Sequence, residues 1–192
     1  MTNNRQQAAI VLAAGFSKRF GSDKRLSGEP PMLVKTLTAI ARHFADIYVV
    51  HRHCDQAITA LLQSLPTTQI AAPQSPLGIG ESIACAAQYM HQNHNYQRIW
   101  LFLADMPEIT DDTLQALLNT ELDKYITRPV FNGQAGHPVG FPRQDWPALM
   151  QLKGDIGAVE VIQKNQHRLR LVSCTDEGTV RDYDVPCQNK VE

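Results

Sequence analysis

Residues 8–24, Ala-Ala-Ile-Val-Leu-Ala-Ala-Gly-Phe-Ser-Lys-Arg-Phe-Gly-Ser-Asp-Lys, constrain what this chain can fold into more than any other stretch. Ala8 to Ala14 form a short apolar run carrying the β-branched Ile10 and Val11, which suits a strand buried on both faces. The run breaks at Gly15 into small, flexible and basic residues. A loop of that kind leaves backbone N–H groups without partners at the end of a buried strand. Gly15 and Gly21 let the backbone approach an anion, while Arg19 and Lys24 add positive charge. A nucleoside triphosphate is the simplest guest. The stretch contains no Gly-x-x-x-x-Gly-Lys-Ser/Thr, and the spacing of Gly15 and Gly21 does not give Gly-x-Gly-x-x-Gly, so neither a P-loop nor a dinucleotide fingerprint is present.

The rest of the chain predicts strands alternating with helices. Gly28, Pro30 and Pro31 keep Arg25 to Leu33 out of regular helix, after which Leu37, Ile40, Ala41 and Phe44 share a helical face. Ile47 to Val50 reads as a second buried strand, and Asp55 as the N-cap of a helix carrying Ile58, Leu61, Leu62 and Leu65. Ile70 to Ala72 is a third, short strand, and Pro73 to Gly80 form a second Pro/Gly-rich loop opening into a helix near Glu81-Ser82. In such β-α-β units ligands sit outside the carboxyl ends of the strands, which puts both loops at one edge. Ile99 to Ala104 is the most apolar stretch and reads as a central strand, yet it runs directly into Asp105. A carboxylate there needs a partner, and Mg²⁺, held by one or two carboxylates plus substrate phosphates, supplies one.

From Tyr125 the pattern changes. Arg128 to Phe131, the turn Asn132-Gly133 and Val139-Gly140-Phe141 predict a tight hairpin inserted into the alternation, and Arg168 to Cys174 alternates like an exposed edge strand. At 192 residues, with 43% apolar and 19% charged content, one globular domain spanning 1–192 is expected. A net charge of −1 provides no broad basic field, so any anion binding is local and nucleic acid or an anionic membrane is not an expected partner. No apolar run approaches the about 20 residues that span a bilayer, and Met1 to Gln7 lack a signal-peptide pattern, so a cytoplasmic protein is expected. Cys54, Cys85, Cys174 and Cys187 lie far apart, which argues for reduced thiols rather than a zinc site. In His51-Arg52-His53-Cys54, neighbouring side chains on an extended chain point to opposite faces and do not converge on one ion.

Leu12, Ala13, Ala14, Gly15, Arg19, Gly21 and Lys24 stand in register with Leu-Ala-Ala/Gly-Gly-x-x-x-Arg-x-Gly-x-x-Lys, the opening signature of the sugar-nucleotide and cofactor nucleotidyltransferases. The Ser17-x-Arg19-Phe20-Gly21 version resembles the molybdenum cofactor cytidylyltransferase branch. Gly78, Gly80 and Ser82 map onto the family's base- and ribose-contacting Gly-x-Gly-x-Ser-like segment, and Leu103 to Pro107 resemble its metal-binding Leu-x-Asp-Met-Pro. Gly136-His137-Pro138 and Gly154-Asp155-Ile156-Gly157-Ala158 resemble the same branch, which implies His137 and Asp155 as acceptor-binding residues. The family's closing Asp-Ile-Asp-Thr-Pro puts its second metal ligand at Asp184. Val185 replaces the Thr and no acidic residue follows Pro186 closely, which leaves Asp182 as a substitute ligand. Around Arg25 to Met32 the family's Lys-x-Leu-x-Pro is missing.

The resemblance implies a three-layer α/β/α Rossmann-like nucleotidyltransferase fold, a mostly parallel sheet with an inserted β-hairpin. Residues 8–124 would bind nucleotide and 125–192 the acceptor. It further implies transfer of CMP from CTP to the phosphate of a molybdopterin-type cofactor, with release of pyrophosphate and a client molybdoenzyme as protein partner. Arg19, Lys24 and Asp105 would be catalytic, Leu12 to Gly15 with Gly78, Gly80 and Ser82 nucleotide-binding, and Asp105 with Asp184 the Mg²⁺ ligands. CTP is expected over GTP because Ala14 stands where guanylyltransferase relatives resemble Leu-Ala-Gly-Gly. A sugar phosphate or other small phosphate as acceptor stays open, as does a nucleotide-binding chaperone that delivers the cofactor without catalysis.

Overall fold

The computed structural model of the protein describes residues 6–15, 23–121 and 123–181. The expectations placed on Arg19, Gly21, Asp182 and Asp184 lie outside the described residues. The opening apolar run is strand β1 (Gln7–Leu12). Its side chains enter two cores in alternation: Ala8 and Ile10 on one face, Ala9 and Val11 on the other. Burial on both faces is why the strand reads as a continuous apolar run rather than an alternating one. β2 (Ile47–Arg52) and β4 (Arg98–Leu103) flank it, both parallel, and β3 (Thr68–Ala72) pairs parallel with β2.

Helices α1 (Met32–Ile40), α2 (Gln56–Leu62) and α4 (Asp111–Leu118) cover the Ala9 face with Leu33, Leu37, Ile58, Leu62 and Leu114. Helices α3 (Ile79–Asn93), α5 (Trp146–Leu149) and α6 (Val159–Lys164) cover the Ala8 face with Ile83, Met90, Trp146 and Ile162. Three layers result, as expected for alternating strands and helices. Asp55 caps α2 through Ile58 N–H, and Thr110 caps α4 through Thr113 N–H.

The second half extends the sheet with β5 (Ile126–Phe131), β6 (Gln134–Ala135), β7 (Val139–Pro142) and β8 (Leu169–Ser173), giving eight strands in the order β3-β2-β1-β4-β7-β5-β6, with β8 also on β5. Asn132 and Gly133 take φ of +47° and +81°, which makes the tight turn predicted for this dipeptide. Its return strand is the short β6, however, and not Val139-Gly140-Phe141. Those residues form β7, which pairs antiparallel along β4, while its ladder with β5 is the single pair Thr127 and Gly140. The predicted hairpin therefore belongs to the main sheet, because the edge of β4 offers a longer ladder than the turn does. β8 is the exposed strand expected, parallel to β5. The segment after Lys24 also differs: Lys24–Leu26 is one 3-10 turn, and α1 starts at Met32 directly after the N-cap Pro31, so Leu33 is helical.

Candidate active site

The carboxyl ends of β1, β3 and β4 open into one cavity of about 440 Å³, within the range of small-molecule sites. From β1 come Leu12, Ala13, Ala14 and Gly15. Lys24 and Arg25 enter from the 3-10 turn, Gly78 from the β3–α3 connection, Ser82 from the first turn of α3, Asp105 from the end of β4 and Asp155 from the loop before α6. A Cβ on Gly15 would meet no atom of the described residues within 4 Å. Ser75 also lines the cavity; it is 5% exposed, and its Oγ has no hydrogen-bond partner among the described residues.

Asp105 is held from behind. The Thr36 hydroxyl donates to the Ala104 carbonyl at 3.1 Å and accepts from the Met106 amide at 3.2 Å, fixing the peptides on either side of the aspartate. Lys24 Nζ lies 2.5 Å from Asp105 Oδ2, so the two sequence-predicted groups meet across the cavity mouth. The loop beyond is fastened from far along the chain. Asp176 Oδ2 accepts from both the amide and the hydroxyl of Thr110 at 2.8 Å, Asp176 Oδ1 accepts from the Gly178 amide at 2.9 Å, and the Thr179 carbonyl takes the His137 amide at 2.8 Å.

Arg25 is buried and gathers the charges around the start of the cavity. It pairs with Asp23, lies 2.7 Å from Asp55, and donates to the Ala13 carbonyl. Arg52 closes the quartet at 2.7 Å from Asp55 and 3.4 Å from Asp23. Burial alone would raise the carboxyls of Asp23 and Asp55, but hydrogen bonds and charge from Arg25 and Arg52 outweigh it and hold both below the ordinary carboxylate value. The segment from Asp23 to Arg25 is thereby tied to the ends of β1 and β2.

The two glycines of the second loop serve packing. Gly78, at φ +141°, would place a Cβ 2.1 Å from the carbonyl carbon of Gly154, and a Cβ on Gly80 would lie 2.6 Å from the Ile156 carbonyl oxygen. Only side-chain-free residues allow this approach. Gly80 N–H donates to the Gly154 carbonyl at 2.8 Å, and Gly154 N–H donates to Glu81 Oε1 at 3.2 Å. Gly80 is therefore buried against the 153–156 loop and is not on the cavity wall, contrary to expectation, while Gly78, Ser82 and Asp155 are. His137 is not on that wall either. Its Nδ1 is buried without a hydrogen-bond partner among the described residues, and burial, reinforced by the Arg128 charge, pushes its pKa down to about 4.

Among the described residues no group of three or more His, Cys, Asp or Glu could hold a metal ion, and His51 Nδ1 is taken by the Arg52 carbonyl at 2.8 Å. The cavity presents two carboxylates, Asp105, which lies beside Lys24, and Asp155. That donor set fits Mg²⁺, which keeps waters and substrate phosphates among its ligands, rather than an all-protein cage.

The profile of the MobA-like NTP transferase domain matches residues 9–169. The chain belongs to this family. It is a nucleotidyltransferase domain, and its mixed, mostly parallel sheet is that of the family's structural neighbours. The purine catabolism protein PucB of Bacillus subtilis is 26% identical over 188 residues, covering 92% of this chain and 91% of PucB. The bifunctional protein GlmU of Stenotrophomonas maltophilia is 30% identical over 161 residues, which are 78% of this chain but 32% of GlmU. The crystal structure of Rv0371c from Mycobacterium tuberculosis superposes with a TM-score of 0.74 at 25% identity, covering 88% of each chain, and Rv0371c has also been solved in complex with manganese. No helix among the described residues of this MobA-like domain is long and apolar enough to cross a membrane. Of its cavity residues, sequence reading missed Arg25 and Ser75. The signal for Arg25 was the charge alternation Asp23-x-Arg25 and Arg52-x-x-Asp55 at the ends of two buried strands; nothing local singles out Ser75.

Proposed function

We propose that this MobA-like domain transfers CMP from CTP to the phosphate of a molybdopterin-type cofactor. An acceptor phosphate oxygen attacks the α-phosphorus of CTP, the bond to the β-phosphate oxygen breaks, and pyrophosphate leaves in line. The observation that carries the reading is the Lys24–Asp105 pair, 2.5 Å apart in a cavity shared with Ala14, Gly78 and Asp155. A cation beside a carboxylate is what a triphosphate and its counter-ion ask for.

In this reading Lys24 and Arg19 bind the triphosphate and offset the charge that builds on the leaving oxygens. Asp105 and Asp184 would hold Mg²⁺, with Asp182 as the other candidate. When bound, the ion neutralises phosphate charge and orients the leaving group. A divalent ion is supported by the donor set and by the manganese complex of Rv0371c. Residues up to 124 form the nucleotide part, and Asp155 faces the acceptor from the second half. His137 is off the cavity wall, and its electrostatic interaction with Asp105 is what supports its expected acceptor role. The Ala14 methyl narrows the base subsite, and fitting a pyrimidine in preference to a purine is worth about 1–3 kcal/mol. The PucB name attaches that relative to purine catabolism, and in this reading a molybdoenzyme would be the client.

The test is pyrophosphate release with each of the four triphosphates against molybdopterin and against a sugar phosphate. Release with CTP and molybdopterin is expected. Release with a sugar phosphate alone assigns the acceptor otherwise, and triphosphate binding without any release marks a delivery chaperone.

A further inference from the structure

The loop that reaches Asp155 is not free to place itself. Gly154 is held at both polar atoms of its backbone by the first turn of α3: its carbonyl accepts from Gly80 N–H at 2.8 Å, and its amide donates to Glu81 Oε1 at 3.2 Å. Gly78 and Gly80 bring the two backbones so close that any Cβ would collide with residues 153–156. The same short segment that carries Gly78, Ile79 and Ser82 into the cavity therefore grips the residue immediately before Asp155.

We propose that Glu81 is a positioning residue for the acceptor: through the Gly154 amide it fixes Asp155 relative to the nucleotide loop. This rests on the acceptor role given to Asp155 above. Glu81 also sits in the first turn of α3, where a carboxylate is favoured by the helix dipole. The two roles separate cleanly. Glu81→Gln keeps an oxygen that accepts from Gly154 but loses the charge, whereas Glu81→Ala loses both. A dipole or general stability role predicts that the two variants behave alike; positioning predicts that Gln preserves function and Ala does not.

Two measurements decide it, both on the full chain. In pyrophosphate release with CTP, MgCl2 and molybdopterin, Glu81→Ala raises the molybdopterin KM at least about tenfold, with the CTP KM and the melting temperature close to wild type, while Glu81→Gln stays within about threefold of wild type. In amide hydrogen exchange without any substrate, residues 153–157 exchange about tenfold faster in Glu81→Ala and unchanged in Glu81→Gln. An unchanged molybdopterin KM in Glu81→Ala, or a KM raised equally in both variants, overturns the positioning role while leaving the proposed reaction intact. No release by the wild type with molybdopterin refutes the acceptor instead; unchanged exchange at 153–157 in Glu81→Ala then overturns the clamp by itself.

Discussion

Replacing Arg25 with Met should destabilise the protein by about 3 kcal/mol, the low end of the cost of removing one partner from a buried ion pair. The low end is chosen from the geometry. Asp55 keeps Arg52 at 2.7 Å and a bond from Ile58 N–H, so it is not fully orphaned. Asp23 keeps Arg52 at 3.4 Å, and the Ala13 carbonyl loses the Arg25 donor altogether. For a chain of this size the loss lowers Tm by roughly 6–12 °C. Urea denaturation followed by fluorescence measures it, and the slope with denaturant should match wild type if only the folded state is affected. The difference also depends on pH. Asp23 and Asp55 titrate below their ordinary value in the folded protein, so their contribution is present above about pH 4 and is lost as pH falls through the folded values. The gap between wild type and Arg25→Met should therefore shrink in acid. Adding Asp55→Asn to Arg25→Met should recover part of the loss, because Arg52 is then left to offset Asp23 alone rather than two carboxylates. A loss under about 1 kcal/mol, or a double variant worse than the sum of the singles, would refute the claim that Arg25 neutralises this cluster.

Asp105→Asn should lower kcat at least about 100-fold at saturating Mg²⁺ with little change in Tm; wild-type rates would remove Asp105 from the chemistry. In Ala14→Gly the preference for CTP over GTP, set at roughly 10- to 200-fold in the wild type, should narrow in competitive turnover, and equal use of GTP by the wild type would end the cytidylyl assignment. Because the His137 pKa is pushed down to about 4, the unfolded chain binds the proton more readily, so its contribution to stability is complete above about pH 6.5 and declines as pH falls toward 4. The decline should be on the order of 2 kcal/mol and should flatten in His137→Asn, as read from urea midpoints across that range.

Much of the fold was legible because its signals are local. Ala8 to Ala14, Ile47 to Val50 and Ile99 to Ala104 are apolar runs broken at one end by Gly or by charge, and each is a central parallel strand whose end reaches the ligand edge. Asp105 stood out for the same reason: a lone carboxylate following the most apolar run. What was not legible depends on partners far along the chain. Val139 to Phe141 has the pattern of a strand, but pattern does not say that β4 rather than β5 will accept most of it. Gly78 and Gly80 look alike in sequence, and only the approach of residues 153–156 sends one to the cavity wall and the other beneath it. Arg25 lay in a stretch read as loop because of its prolines, and its burial follows from Asp55 and Arg52, about thirty residues away. The His137 motif was recognisable, but its burial off the cavity wall was not.

The turn at Asp176 also imposes an order on synthesis. The amide of Thr110, a few residues beyond Asp105, is fastened by a carboxylate made 66 residues later. A chain emerging from the ribosome can pair β1 with β2 and β4, and β2 with β3, as soon as those strands are out, since their ladders need nothing downstream. Until Val139 to Pro142 arrive, β4 is a bare edge, and until Asp176 arrives the loop that follows it is held by Thr36 but lacks its second anchor, at Thr110. The half-made protein thus owns its sheet well before it owns the wall of its cavity, and the unfinished edge is the part of the nascent chain that a chaperone has reason to cover.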